Sequence, residues 1–215
     1  MKKKIIILLS LLVIALLSVG AFFSMRNNVP RNTTQKKSGK TIYVSASYAI
    51  DPTNLSELAG IADNVFVGEV INDMETVYSG KSRLPLTVYK VRVVENIKGK
   101  FAVDKPLRLY KDGGYTENGD LNIYSDDEMP QSGNYYVFST YTQNPDRDLP
   151  SGSIVASGMN SNIRLDKNEV NGENTGRSSG KILEFQNAVE NQVPFDRERG
   201  EIVDSETYFN EALPE

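Results

Sequence analysis

A chain of 215 residues with 39% hydrophobic side chains has material for one buried core and a short appendage, once a membrane segment and a linker are set aside. It holds neither cysteine nor histidine. That removes disulfides, thiolate metal sites, lipid-modified cysteine, cysteine nucleophiles, the usual zinc ligand and every Ser-His-Asp arrangement. Without Lys2, Lys3, Lys4 and Arg26, which flank the hydrophobic segment, 20 basic side chains face 28 acidic ones, and a net charge of −8 argues against nucleic acid as a partner.

Lys2 to Lys4 followed by Ile5 to Phe23 have the basic start and apolar middle of an export signal. The 19 apolar or small residues exceed the roughly 7 to 15 of a cleaved signal, so residues 1–25 are expected to stay in the cytoplasmic membrane as a single-pass anchor. Val19 and Ala21 form a small-residue pair of the kind signal peptidase accepts, which makes secretion after cleavage the alternative. The basic n-region is only three residues past Met1, which favours the domain on the extracytoplasmic side. Arg26, Arg31, Lys36, Lys37 and Lys40 weigh the other way, so charge alone does not orient the segment. Residues 26–40 hold Val29 as their one aliphatic side chain and read as a flexible basic linker, able to lie against anionic phospholipid heads or wall polymer.

From Thr41 to Ser47, Ile42, Val44 and Ala46 alternate with Tyr43, Ser45 and Ser47, the period of a half-buried strand. Asn54 with Glu57 three residues on is a capping-box pattern, and Leu55, Leu58, Ala59 and Ala62 line one face of the short helix it starts. Strands follow at Val65–Ile71 and Leu86–Ile97, the second with Thr87, Tyr89, Val91, Val93 and Ile97 on one side, before a turn at Lys98-Gly99-Lys100. Leu107–Tyr110 is a strand, Asp112 to Asp120 a glycine-rich loop, and Leu121–Tyr124 a short edge strand. Asn134–Tyr141 is the most β-prone run, and Ile154–Ala156 and Asn162–Leu165 are weaker strands. After a polar connector, Ile182, Phe185 and Val189 recur at helical spacing within Lys181–Gln192, an amphipathic helix expected to dock on the strands until Pro194 stops it. These elements give a barrel domain over 41–170, a connector and helix over 171–193, and an acidic, poorly ordered tail over 194–215. The fold class is mainly β, a small antiparallel barrel or sandwich with a short N-terminal helix and a C-terminal amphipathic helix.

The run Ile61-Ala62-Asp63-Asn64-Val65-Phe66-Val67-Gly68-Glu69-Val70 after Leu58, the strand Thr87 to Val94 and Ile97-Lys98-Gly99 resemble a widespread group of uncharacterised exported bacterial proteins. More distantly they resemble netrin-like domains. The likeness continues through Gly113-Gly114, Gly133 to Ser139, Ser157-Gly158 and Ile163 to Asp166, and so covers roughly residues 55–166. It implies an OB-like barrel and an exported location, not an activity. Netrin-like protease inhibitors act through an N-terminal cysteine, which has no counterpart here.

Three sets of side chains are candidates for chemistry. Tyr110, Tyr115, Tyr124, Tyr136 and Tyr141 could form a platform for a glycan or peptide, with barrel packing as the competing reading; alternation already sends Tyr135 and Tyr136 to opposite faces. Glu117, Asp120, Asp126, Asp127 and Glu128 offer hard oxygens for calcium, but match no calcium-loop spacing and read as solvated turns, so no metal site is assigned. Glu69, Asp112, Asp120 and Glu128 are the acids from which a hydrolytic pair would come. A serine–lysine dyad has no Ser-x-x-Lys pattern behind it, and only Lys90 stands out as a lysine inside a strand. The expected function is therefore a non-enzymatic binding or interaction module, without a cofactor. Its expected partners are the membrane, through Ile5 to Phe23, and an envelope protein or wall polymer. A protease inhibitor or a carboxylate-dependent enzyme acting on wall material is the alternative.

Overall fold

The computed structural model describes residues 39–80, 83–143, 149–150, 152–170 and 180–197. The chain divides into two units, Met1–Lys36 and Lys37–Glu215, and every described residue belongs to the second. The expected anchor and the acidic tail beyond Arg197 lie outside the described residues, as does most of the basic linker. Among the described residues no helix is long and apolar enough to cross a membrane.

The described residues form, in order, β1 (Thr41–Val44), α1 (Leu55–Ile61), β2 (Asn64–Ser79), β3 (Leu84–Lys98), β4 (Pro106–Asp112), β5 (Gly114–Tyr115), β6 (Leu121–Tyr124), β7 (Tyr135–Thr142), β8 (Ile154–Ala156), β9 (Asn162–Leu165), α2 (Lys167–Val170) and α3 (Gly180–Glu190). Helix α1 starts as the capping pattern requires. The Asn54 side chain accepts from the Ser56 and Glu57 amides at 3.0 and 3.4 Å, while the Glu57 carboxylate reaches back to the Asp51 amide at 2.9 Å. At its other end the Lys98 ammonium donates to the Ala59 and Ala62 carbonyls at 2.8 and 2.7 Å, and to Gln192 Oε1 at 2.7 Å. One cation thus ties the end of α1 to the chain that follows α3.

Strands β2, β3, β4, β8 and β7 form a ring, closed by pairing between β2 and β7. Successive neighbours run antiparallel except β4 and β8. A ring of five strands cannot alternate direction all the way round, so this mostly antiparallel ring carries one parallel pair. Strand β9 shares the remaining edge of β7 with β8, pairing with Tyr135–Phe138 while β8 takes Tyr141 and Thr142.

Inside the ring pack Phe66, Val70, Tyr89, Val91, Leu107, Leu109, Tyr136 and Phe138 with their neighbours. Phe66 stacks on Phe138 at 5.4 Å and meets the edge of Phe101 at 5.2 Å. Gly68 makes this density possible: a Cβ there would lie 2.6 Å from Val91 Cγ1 and 3.1 Å from Phe66 Cε2. A second cluster joins the outer face of the ring to α1 and α3, with Val65, Val67, Val137 and Leu165 against Leu58, Ile182 and Phe185. Val94 and Ile97 also belong to it, three residues apart, a spacing that unbroken alternation does not allow. Two register shifts between β2 and β3, at Val65/Phe66 and Val67/Gly68, put them there and take Ile97 off the side expected for it with Tyr89, Val91 and Val93.

Strands β1, β6 and β5 make a separate three-stranded sheet, with β1 parallel to β6. The half-buried strand expected at Thr41 is in fact exposed along its length, with Ile42 at 44% and Tyr43 at 67%. The reason is its location: β1 is an edge of the small sheet, away from the ring that holds the core.

Candidate functional site

The small sheet leans over the wall of the ring and leaves a crevice of about 470 Å³. Its floor is the third apolar cluster, on the outer face of β3, β4 and β8, built from Leu86, Val88, Tyr110 and Val155. Leu84, Pro85, Leu86 and Val155 line it from the ring, Asn122, Ile123 and Tyr124 from β6, and Val44 from β1. Asp112, at the end of β4, is the only charged side chain among the described lining residues. Its Oδ2 accepts a hydrogen bond from the Ser157 hydroxyl, and its Oδ1 has no hydrogen-bond partner among the described residues. The crevice depends on Gly113, which holds φ at +109°. A Cβ on Gly113 would lie 3.0 Å from both the Asn122 carbonyl oxygen and Met129 Sδ, so β4 and β6 approach closely only because that atom is missing.

Tyr124, Tyr141 and Gln143 line this crevice and also a second cavity of about 690 Å³ between α1, the segment 46–52 and the loop at Ser157–Met159. Burial, and then the charge of Asp112, push the Tyr124 phenol above its ordinary pKa, so it stays a neutral donor. Arg197 closes one side of the second cavity. It pairs with Asp63 at 2.6 Å, donates from Nε to the Ile61 carbonyl at 3.0 Å, and lies over the Tyr141 ring at 5.9 Å. Within the stretch read from sequence as a loose tail, Arg197 therefore has partners on α1 and β7.

The strongest electrostatic feature lies just inside the ring. Lys111 follows Leu107 and Leu109 on the inward face of β4 and is 0% exposed, and its ammonium pairs with Asp127, itself 2% exposed. Lys111 Nζ also donates to Ser161 Oγ at 3.0 Å, and Asn162 Nδ2 donates to the Glu128 carbonyl at 3.0 Å. Burial pushes the lysine down and the aspartate up, each opposed by the attraction of the other. The loop between β6 and β7 is thereby pinned over one end of the barrel, with Met129 packed on the interior cluster. Asp127 thus lies at the end of the core, not in the solvated turn expected for Asp126 to Glu128. The reading of lysines also missed Lys111, whose phase with Leu107 and Leu109 was the available signal. Although Ser161 and Lys111 are close, neither lines either cavity, and the ammonium donates to the hydroxyl instead of taking its proton.

The other candidates separate. Of the five tyrosines, Tyr124 and Tyr141 come together, whereas Tyr110 is buried in the floor cluster without lining the crevice and Tyr136 lies inside the ring. Tyr115 sits on β5, its carbonyl accepting from the Tyr78 hydroxyl at 3.2 Å. These three turn no ring to either cavity, because strand alternation and the bend at Gly113-Gly114 direct them elsewhere. Among the acids, Glu69 pairs with Arg92, whose Nε lies 3.0 Å away, Glu117 pairs with Arg83, and Asp112 alone lines a cavity described above. No group of three or more acidic side chains able to hold a metal ion occurs among the described residues. Within the run Ile61 to Val70 and the turn at Lys98, side chains take structural parts: Asp63 accepts from the Thr142 amide at 2.8 Å, Gly68 makes room in the core and Lys98 caps α1.

No protein-family model matches the chain, and no curated protein matches it.

Proposed function

We propose that this chain is a non-enzymatic binding module, held on the extracytoplasmic side of the cytoplasmic membrane by Ile5 to Phe23, with the crevice between the ring and the β1–β6–β5 sheet as its ligand site. The observation that carries this reading is the crevice itself: about 470 Å³, walled by aliphatic side chains, with a few polar groups gathered at Asp112, Asn122 and Tyr124. Small-molecule sites have this size and this mixture, typically about 300 to 1,000 Å³ and mostly apolar. Hydrolysis by paired carboxylates has less support, since the described lining offers one acid where two are needed.

The ring is read as OB-like. In its own order of strands the neighbours run first, second, third, fifth, fourth and back to the first, with the third and fifth parallel. OB-folds carry ligands on the barrel wall and the loops beside it, where the crevice lies. The netrin-like resemblance points to the same barrel.

Two experiments test this reading. Since the chain has no native cysteine, Tyr43→Cys gives a single exposed thiol. A membrane-impermeant maleimide should label it in intact cells, and labelling only after permeabilisation would overturn the placement. Fragment screening by NMR should move the amides of Leu86, Ile123 and Val155, and the crevice-filling Val155→Phe should abolish the response. If no fragment moves them, the crevice is not a ligand site.

A further inference from the structure

We propose that the crevice selects an organic cation, a primary ammonium on a short aliphatic body. The inference rests on the crevice being a ligand site, and adds the chemistry of the ligand.

Charge is the first ground. Lys111, Asp127 and Asp112 lie close enough to influence one another, giving one cation and two carboxylates. The cation is committed to Asp127. The negative charge of Asp112 is therefore uncompensated by that pair, and no described basic side chain lines the crevice to balance it. A part-buried carboxylate beside apolar walls attracts a cation more strongly than one in water, because the screening around it is weaker.

Hydrogen-bonding capacity is the second ground. Oδ2 of Asp112 is held by Ser157, which fixes the carboxylate and leaves Oδ1 to accept. Asn122 lines the same crevice, and its buried Oδ1 is without a hydrogen-bond partner. A carboxylate and an amide oxygen in one lining suit N–H donors, and a primary ammonium brings three. The neighbouring surface belongs to Leu84, Leu86 and Val155, which suits an aliphatic body and offers nothing to a second charge.

The test uses the full-length chain in non-ionic detergent, titrated with n-butylammonium and with 1-butanol as its neutral counterpart, read by the NMR shifts of the Gly113, Asn122 and Val155 amides. Butylammonium should bind about tenfold tighter than butanol, and Asp112→Asn should erase that difference. Asp112→Glu, which keeps the charge, should retain the preference. Equal binding of both probes to the native chain would overturn the cation assignment and leave the crevice as a ligand site. A preference that survives Asp112→Asn would overturn the role of Asp112. No response of these amides to either probe would overturn both this inference and the binding-site reading beneath it.

Discussion

Replacing Lys111 by methionine keeps an unbranched side chain, one heavy atom shorter, and removes its charge, which leaves the Asp127 carboxylate buried with one backbone donor, the Glu128 amide at 2.9 Å. Breaking a buried pair from one side costs about 3 to 5 kcal/mol, and the surviving hydrogen bond places this case at the lower end. With a urea slope of about 2 kcal/mol per molar, a loss of about 3 kcal/mol moves the unfolding midpoint down by about 1.5 M. Removing both charges, in Lys111→Met with Asp127→Leu, should restore stability to within about 1 kcal/mol of the native chain, because no ion is then left unpaired. The single variant also has a pH signature. Burial already holds the Asp127 carboxyl above its ordinary range, and loss of the ammonium removes the attraction that opposes this rise. Its folded state then binds a proton more tightly than the unfolded chain. The variant's stability should therefore rise as pH falls from the raised folded pKa toward the unfolded value of about 3.9. Urea unfolding across that range measures each quantity. A double variant as unstable as the single one, or a single variant without recovery in acid, would refute the assignment of the cost to an orphaned charge.

Gly68→Ala forces a methyl group to within 2.6 Å of Val91 Cγ1 and 3.2 Å of Phe138 Cδ2, so thermal unfolding should show a loss of about 1 to 3 kcal/mol; an unchanged melting temperature would mean the ring has slack. Tyr89 is 4% exposed, and burial pushes its phenol well above the ordinary value of 10.0. The folded chain therefore keeps a proton that the unfolded chain loses, and stability should fall as pH rises beyond about 10. Tyr89→Phe should flatten that fall in alkaline urea titrations, while an equally steep decline would assign it to other groups.

Local chemistry made much of the fold legible. The strands at Leu121–Tyr124, Ile154–Ala156 and Asn162–Leu165 have the limits read from sequence, because turn residues bound each run of β-prone side chains. The capping pattern at Asn54 and the helical spacing of Ile182 and Phe185 give α1 and α3 for similarly local reasons. Strand β2 runs eight residues past the expected end at Ile71, to Ser79. Asn72 to Glu75 carry no strand signal of their own and are extended because β3 pairs with them. Gly114 and Tyr115, read from sequence as part of a loop, are likewise a strand only through pairing, as the two residues of β5 against β6. Of the candidate site, sequence supplied Tyr124, Tyr141 and Asp112, but in separate lists with separate chemistries.

What the sequence determined alone is therefore everything carried by neighbours in the chain: the β-rich character, the helix cap at Asn54, the alternation that sends Tyr135 and Tyr136 to opposite faces, and the chemistry excluded by the lack of cysteine and histidine. It also supplied the hydrophobic run Ile5 to Phe23, from which the anchor is inferred. The tertiary structure decided what depends on residues far apart. Lys111 reads as a polar residue near a turn until ring closure brings Asp127 and Ser161 to it, 16 and 50 positions away. The crevice has the same origin. Its walls come from separate parts of the chain, and no spacing within any one of them shows that Asp112 and Asn122 line one crevice.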